Sequence, residues 1–188
     1  MKPLRCIART LLGAGLLFAG CGGGAGGAGG APGAESVDLC AHLEPWPDDI
    51  ASIEAEVVVE VNIRRSQAAD CRTMGTFDPT HPLTMDAQLQ CAARLHTVDM
   101  HDRNFFEHVN PDGEEPWDRI TATGYQWGAA GENIAAGQQT AQEVVAGWMS
   151  SDGHCANIMD PNFTEIGVGL LKAGAFGSLW TQVFATPL

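Results

Sequence analysis

The stretch GENIAAG, residues 131–137, places one carboxylate, Glu132, among glycines and small apolar residues, with no basic partner inside the stretch. An acid so placed either caps or hydrogen-bonds a local turn, or supplies half of a site whose other half lies elsewhere in the chain. Three histidines stand beside recognisable structural signals. His96 falls on an apolar stripe with Leu89, Ala92, Ala93 and Met100, which reads as a core position, because histidine is readily buried in part. His108 follows the aromatic pair Phe105-Phe106, and His154 follows Asp152-Gly153. Asn110, Asp112 and Glu114 alternate as calcium ligands do, but the spacing beyond them fails the EF-hand loop, so a solvated turn is expected. There is no H-E-x-x-H, which sets the chain apart from ordinary zinc peptidases. Ser150 and Ser151 near His154 lack the strained G-x-S-x-G turn of a nucleophile elbow.

The elements that must position these groups are mostly helical. In residues 48–71 the run Val57-Val58-Val59 suggests a strand, yet Ile50, Ile53, Val57 and Val61 step by three and four. Some twenty residues without Gly or Pro decide for a helix that begins at Asp48 or Asp49. TFDPTHPLT is a loop, because its prolines forbid a regular element. A second helix is expected from about Asp86 to Arg103, and a short one over EPWDRITATG, with Pro116 in its first turn and Gly124 stopping it. Thr140 and Glu143 form a capping box for a helix whose Val144 and Trp148 face the core. Asp152-Gly153 is expected to end that helix and deliver His154. Ile166, Val168 and Leu170 alternate with small residues, as do Trp180, Gln182 and Phe184 with their neighbours, which gives a terminal hairpin. Helices first and a hairpin last mean an α+β fold, with helices packed on an antiparallel sheet.

Ahead of this domain, MKPLRCIART carries Lys2, Arg5 and Arg9, and a short apolar run follows that ends at Cys21. A basic start, an apolar core too short to span a bilayer and the small pair Ala19-Gly20 describe a lipoprotein signal over residues 1–21, with Cys21 as the acylated residue. Residues 22–38 are Gly-rich and read as a flexible tether, which leaves 39–188 as one domain. Gly22 after the cysteine leans towards the outer membrane in a host with two membranes; plain secretion is the other localisation. Removing Lys2, Arg5 and Arg9 leaves seven basic residues against 23 acidic ones, a net charge near −16. Such a surface repels phosphate backbones, so nucleic acid is not an expected partner. Cys40, Cys71, Cys91 and Cys155 suggest two disulfides in an oxidising compartment, with three pairings open.

Five blocks carry a resemblance: LHTVDMHDRNFFEHVNPDG, GYQWGAAGENIAAG, VVAGWMSSDGHCANIM, FTEIGVGL and WTQVFA. In order and spacing, from about residue 55 to 186, they resemble the bacterial, SCP-like branch of the CAP superfamily (cysteine-rich secretory proteins, antigen 5, pathogenesis-related 1). The resemblance implies a three-layer α-β-α sandwich with a small antiparallel sheet and a cleft in which His108, Glu132 and His154 converge. Two imidazoles and a carboxylate are a normal first shell for zinc or another divalent cation with an open position. Such a metal acidifies a bound water. Many eukaryotic members place a second glutamate one turn after the helix tryptophan; here that position, after Trp148, is Ser151. The resemblance also pairs Cys71 with Cys155, clamping the loop that bears His154, and leaves Cys40 for Cys91.

Three functions are implied. The first is a membrane-tethered, monomeric binding module whose cleft takes a lipid, glycan or protein. The second is a divalent-metal-dependent hydrolase of peptide or phosphoester bonds, with His108, Glu132 and His154 holding the ion. The third is an envelope scaffold with a vestigial cleft. The fold does not decide among them, because function lives in the site.

Overall fold

A computed structural model describes residues 39–188; the expected signal over 1–21, with Cys21, and the expected tether over 22–38 lie outside the described residues. The helices are α1 (Asp48–Arg65), α2 (Ala87–Asp102), α3 (Pro116–Ala122), α4 (Ala141–Met149) and α5 (Asp152–Met159). The strands are β1 (Ala69–Asp70), β2 (Thr76–Phe77), β3 (Thr84–Met85), β4 (Trp127–Ala136), β5 (Glu165–Leu171) and β6 (Leu179–Pro187). No helix among the described residues is long and apolar enough to cross a membrane.

Local rules account for the helix ends. Asp48 and Asp49 open α1 and Arg64 and Arg65 close it, each matching the sign of the helix dipole at its end. The Val57-Val58-Val59 conflict resolves as helix, with Glu54, Val57, Val61 and Arg65 forming the buried stripe. Asp86 caps α2 by accepting from the backbone N–H groups of Gln88 and Leu89. Pro116 starts α3 inside a Glu115/Asp118 capping box, and Gly124 follows its end with a φ of +88° that a side chain would resist.

The main sheet has the order β3-β5-β6-β4. β6 pairs antiparallel with both β4 and β5, and β3 adds to β5 in parallel over only two residues. One face carries Ile166, Val168, Leu170, Trp180 and Phe184 into a core shared with α1, α4 and α5, where Val57, Val61, Val144, Trp148 and Ile158 are buried. The other face carries Val183 and Ala185 against Leu89, Ala92 and Ala93 of α2 and Ile120 of α3. This is the expected α-β-α sandwich. The second face depends on Gly167 and Gly169, since a Cβ there would stand 2.1 Å from the Leu89 backbone and 2.6 Å from that of Ala93. No substitution fits without lifting α2 off the sheet.

One of the two readings of residues 131–137 falls away, and one local expectation is corrected. Residues 131–137 do not form a turn: all but Gly137 lie in β4, paired residue by residue with β6 from Ala129↔Thr186 to Ala136↔Leu179. Asp152-Gly153 does not end a helix but begins one, because α4 closes at Met149 and α5 starts after Ser151. Both disulfides form as the resemblance implies, Cys40–Cys91 and Cys71–Cys155.

Candidate functional site

Glu132 sits midway along β4, the outer strand of the sheet, and pairs across to Val183 on the α2 side. The free edge of β4 is closed by side chains. Asn157 Nδ2 donates to the Glu132 carbonyl at 3.2 Å and Trp148 Nε1 donates to the Ile134 carbonyl at 3.2 Å. The carboxylate of Glu132 is 2% exposed and has both oxygens engaged. Oε1 accepts from His108 Nδ1 at 2.8 Å, and Oε2 accepts from an Arg119 guanidinium nitrogen at 2.9 Å.

His108 comes from the loop after α2, and its side chain is 46% exposed. A carboxylate accepts, so Nδ1 carries the hydrogen and Nε2 is the ring nitrogen left to face a ligand. Arg119 fixes this loop as well as the acid. The same terminal nitrogen donates to the His108 carbonyl at 2.9 Å, and the other donates to the Glu114 carbonyl at 3.0 Å. One buried guanidinium thus holds the backbone of His108 and the carboxylate that orients its ring.

His96 is fully buried, as its apolar stripe predicts, but it also belongs to this neighbourhood. Its Nε2 donates to the Glu107 carbonyl at 3.0 Å and lies 3.9 Å from Glu132 Oε1, while Nδ1 has no partner. Burial pushes its pKa down to about 4, the nearby Glu132 charge offsetting only part of the effect. The ring is therefore neutral at neutral pH, and it supports the peptide just before His108.

His154 lies in the first turn of α5 and is half-buried. Its pKa is lowered, first by burial and then by the charge of His108. An amide network ties α5 to β4: Asn133 Nδ2 donates to the His154 carbonyl at 3.2 Å, and Asn157 Nδ2 to Asn133 Oδ1 at 2.9 Å. The start of α5 is held from the other side by Cys71–Cys155 and by Thr73, whose backbone N–H and hydroxyl both donate to Asp152.

Among the described residues, no three of His, Cys, Asp and Glu gather into a group that could hold a metal. Glu132 stands behind His108 with its oxygens taken, and ring nitrogens of His108 and His154 remain as donors. Asn110, Asp112 and Glu114 form a turn, as expected: Asn110 Oδ1 accepts from the backbone N–H groups of the other two.

Motif reading did not find Arg119. Its signal was an arginine on the apolar stripe of a short helix, since Pro116, Arg119 and Ile120 are the buried residues of α3.

A family model described as the cysteine-rich secretory protein family, CAP, matches residues 62–184. The chain belongs to the CAP family. It is 40% identical over 138 residues to the Bacillus subtilis protein YkwD, a match covering 73% of this chain and 49% of that protein. The chain thus spans about half the length of this relative. The solved structure of an extracellular protein containing a SCP domain from Bacillus anthracis is similar with a TM-score of 0.55 at 32% identity, over 74% of this chain and 43% of that one. An outer surface protein from Borrelia burgdorferi shares the fold with a TM-score of 0.59 at 17% identity, over 75% of this chain and 94% of that one. In this CAP domain Ser151 is half-buried just before α5, and the next acid, Asp152, is turned to Thr73 and Arg72 instead of His154.

Proposed function

We propose that this CAP domain is an extracytoplasmic binding module whose cleft presents His108 and His154 to a lipid, glycan or protein ligand. The observation that carries this reading is that Glu132 is 2% exposed and has a buried or ring partner on each oxygen. A general base needs a carboxylate free to take a proton, and here one oxygen serves an imidazole and the other a buried guanidinium. The acid orients and does not react. A divalent cation such as zinc would be held by His108 Nε2 and a ring nitrogen of His154, with Glu132 orienting His108 from behind. Two protein donors give a weaker site than the three or four of established zinc centres. The family's extracellular members support a secreted or envelope location. Acylation at Cys21 with the tether over 22–38 would anchor the domain to a membrane, the outer one in a host with two, as a monomer.

Testing separates binding from hydrolysis on one protein. The mature chain is titrated with zinc by calorimetry and assayed with zinc on peptide and phosphodiester probes, beside Glu132→Gln and His154→Ala. Binding predicts zinc affinity no tighter than about 10 μM and no turnover above buffer. It also predicts thermal stabilisation by at least one member of a lipid, glycan and peptide panel, lost in His108→Ala and His154→Ala. Turnover abolished by Glu132→Gln would overturn the reading in favour of a hydrolase. A panel with no stabilising member would leave the scaffold. Membrane anchoring is checked by Cys21→Ser, which is expected to move the protein to the soluble fraction; unchanged partition rejects acylation.

A further inference from the structure

The two disulfides are not equivalent. Cys71 and Cys155 are wholly buried in the core shared by α1, α4 and α5. Cys40 and Cys91 are half-buried, and both line a cavity of about 520 Å³ between the segment preceding α1 and the face of α2. A thiol reagent can approach the second pair without unfolding the domain, and it cannot so approach the first.

Cys40–Cys91 is also the covalent hold on that segment. Residues 39–47 run over the Glu54–Arg94 pair before α1 begins. From this segment the Trp46 ring lies 4.6 Å from the Arg94 guanidinium, Trp46 Nε1 donates to Glu54 at 3.1 Å, and Glu44 lies 3.9 Å from Arg94. Arg94 lines the same cavity, three residues along α2 from Cys91 and so on the same helix face.

We infer that Cys40–Cys91 is a thiol–disulfide exchange site, a latch that a dithiol reductant opens while Cys71–Cys155 keeps the cleft in place. A thiolate of the dithiol attacks the Cys40 sulfur, the S–S bond breaks, and its electron pair leaves on Cys91. The second thiol then attacks the mixed disulfide, and the electron pair leaves on Cys40. The dithiol ends as a disulfide, and its two electrons and two protons end on two cysteine thiols. Opening frees residues 39–47 and adds up to roughly 30 Å of chain ahead of α1, at about 3.3–3.6 Å per extended residue. The latch sets the length of free chain ahead of α1, and it does not depend on the ligand of the cleft.

The test uses the oxidised mature chain under native conditions. Dithiothreitol is added in graded amounts at neutral pH, free thiols are alkylated at intervals, and labelled cysteines are read by peptide mass spectrometry, with circular dichroism followed in parallel. Cys40 and Cys91 are expected to label at least about tenfold faster than Cys71 and Cys155, with the dichroism unchanged. Equal rates, earlier labelling of Cys71 and Cys155, or labelling only as the dichroism is lost would each overturn the proposal. Hydrogen exchange on the partly reduced protein supplies the second readout. Residues 39–47 should exchange faster while peptides containing His108, Glu132 and His154 keep their protection; loss of protection at the cleft would refute a latch separable from the site.

Discussion

Glu54 and Glu132 are both buried carboxylates paired with an arginine, and each serves an edge of the same sheet. Glu54, from α1, accepts from the Leu170 N–H on β5 at 3.0 Å, and from Trp46, Gln90 and Arg94. Leu170, Gln90 and Arg94 are held by the sheet and α2, Trp46 comes from the segment tied down by Cys40–Cys91, and the Glu54 side chain is wholly buried. Burial raises its pKa, and Arg94 opposes the rise. Glu132 differs in one donor: His108, whose side chain is nearly half exposed. The first network is closed and can only stabilise. The second ends on a ring that faces solvent, so the order stored in a buried ion pair is passed to a group a ligand can touch. Whether a buried carboxylate supports a site depends less on its own environment than on where its last partner points.

The comparison predicts its largest effect at the closed network. Glu54→Ala leaves Arg94 without its main partner and a strand N–H unpaired, and should cost about 3–5 kcal/mol in denaturant unfolding. The titration of the protein with zinc should be unchanged from wild type; an altered titration would show that the two networks are not separate.

Next is an acid effect centred on His96. Its folded pKa of about 4 lies below the ordinary 6.5, so the unfolded chain takes the proton first as pH falls. The stabilisation is complete above pH 6.5 and lost as pH drops to about 4, which amounts to about 3 kcal/mol. His154, also lowered, acts with the same sign. Glu54, raised, acts with the opposite one. Both are common to wild type and His96→Phe, so the difference between their stability–pH curves isolates His96; parallel curves would remove it from the linkage.

A smaller change is expected for Glu132→Gln, about 1–3 kcal/mol, because an amide can still accept from Arg119. Its sharper signature is in the ring. Nitrogen NMR should show His108 losing its preference for the Nδ1–H tautomer, and an unchanged tautomer would mean that Glu132 does not orient it. Least of all, Asp152→Ala removes an exposed contact with Thr73 and should leave the unfolding midpoint within scatter, since the buried Cys71–Cys155 bond still holds the start of α5.

Much of the scaffold was legible where the signal is local. The three-and-four spacing of Val57 and Val61 outweighed three consecutive β-branched residues, and Pro116, Asp86 and Gly124 marked helix ends through their own backbone chemistry. β4 was hidden because GAAGENIAA neither alternates nor carries large apolar side chains. It is a strand because β6 offers it a ladder, not because its own residues prefer one. The break between α4 and α5 was misplaced for a related reason: Asp-Gly is good turn chemistry, yet Asp is equally at home in the first turn of a helix.

By itself the sequence determined the α+β order of elements, their caps, the alternation that makes β5 and β6 a hairpin, and an excess of acid over base. These follow from residues a few positions apart. Through the five CAP blocks it also named His108, Glu132 and His154. Only the tertiary structure decided what Glu132 is. Its guanidinium partner lies thirteen residues back on another element, and its imidazole partner comes from a loop beyond that. A carboxylate's role is set by which charges and donors reach it through space, and periodicity along the chain carries no record of that distance.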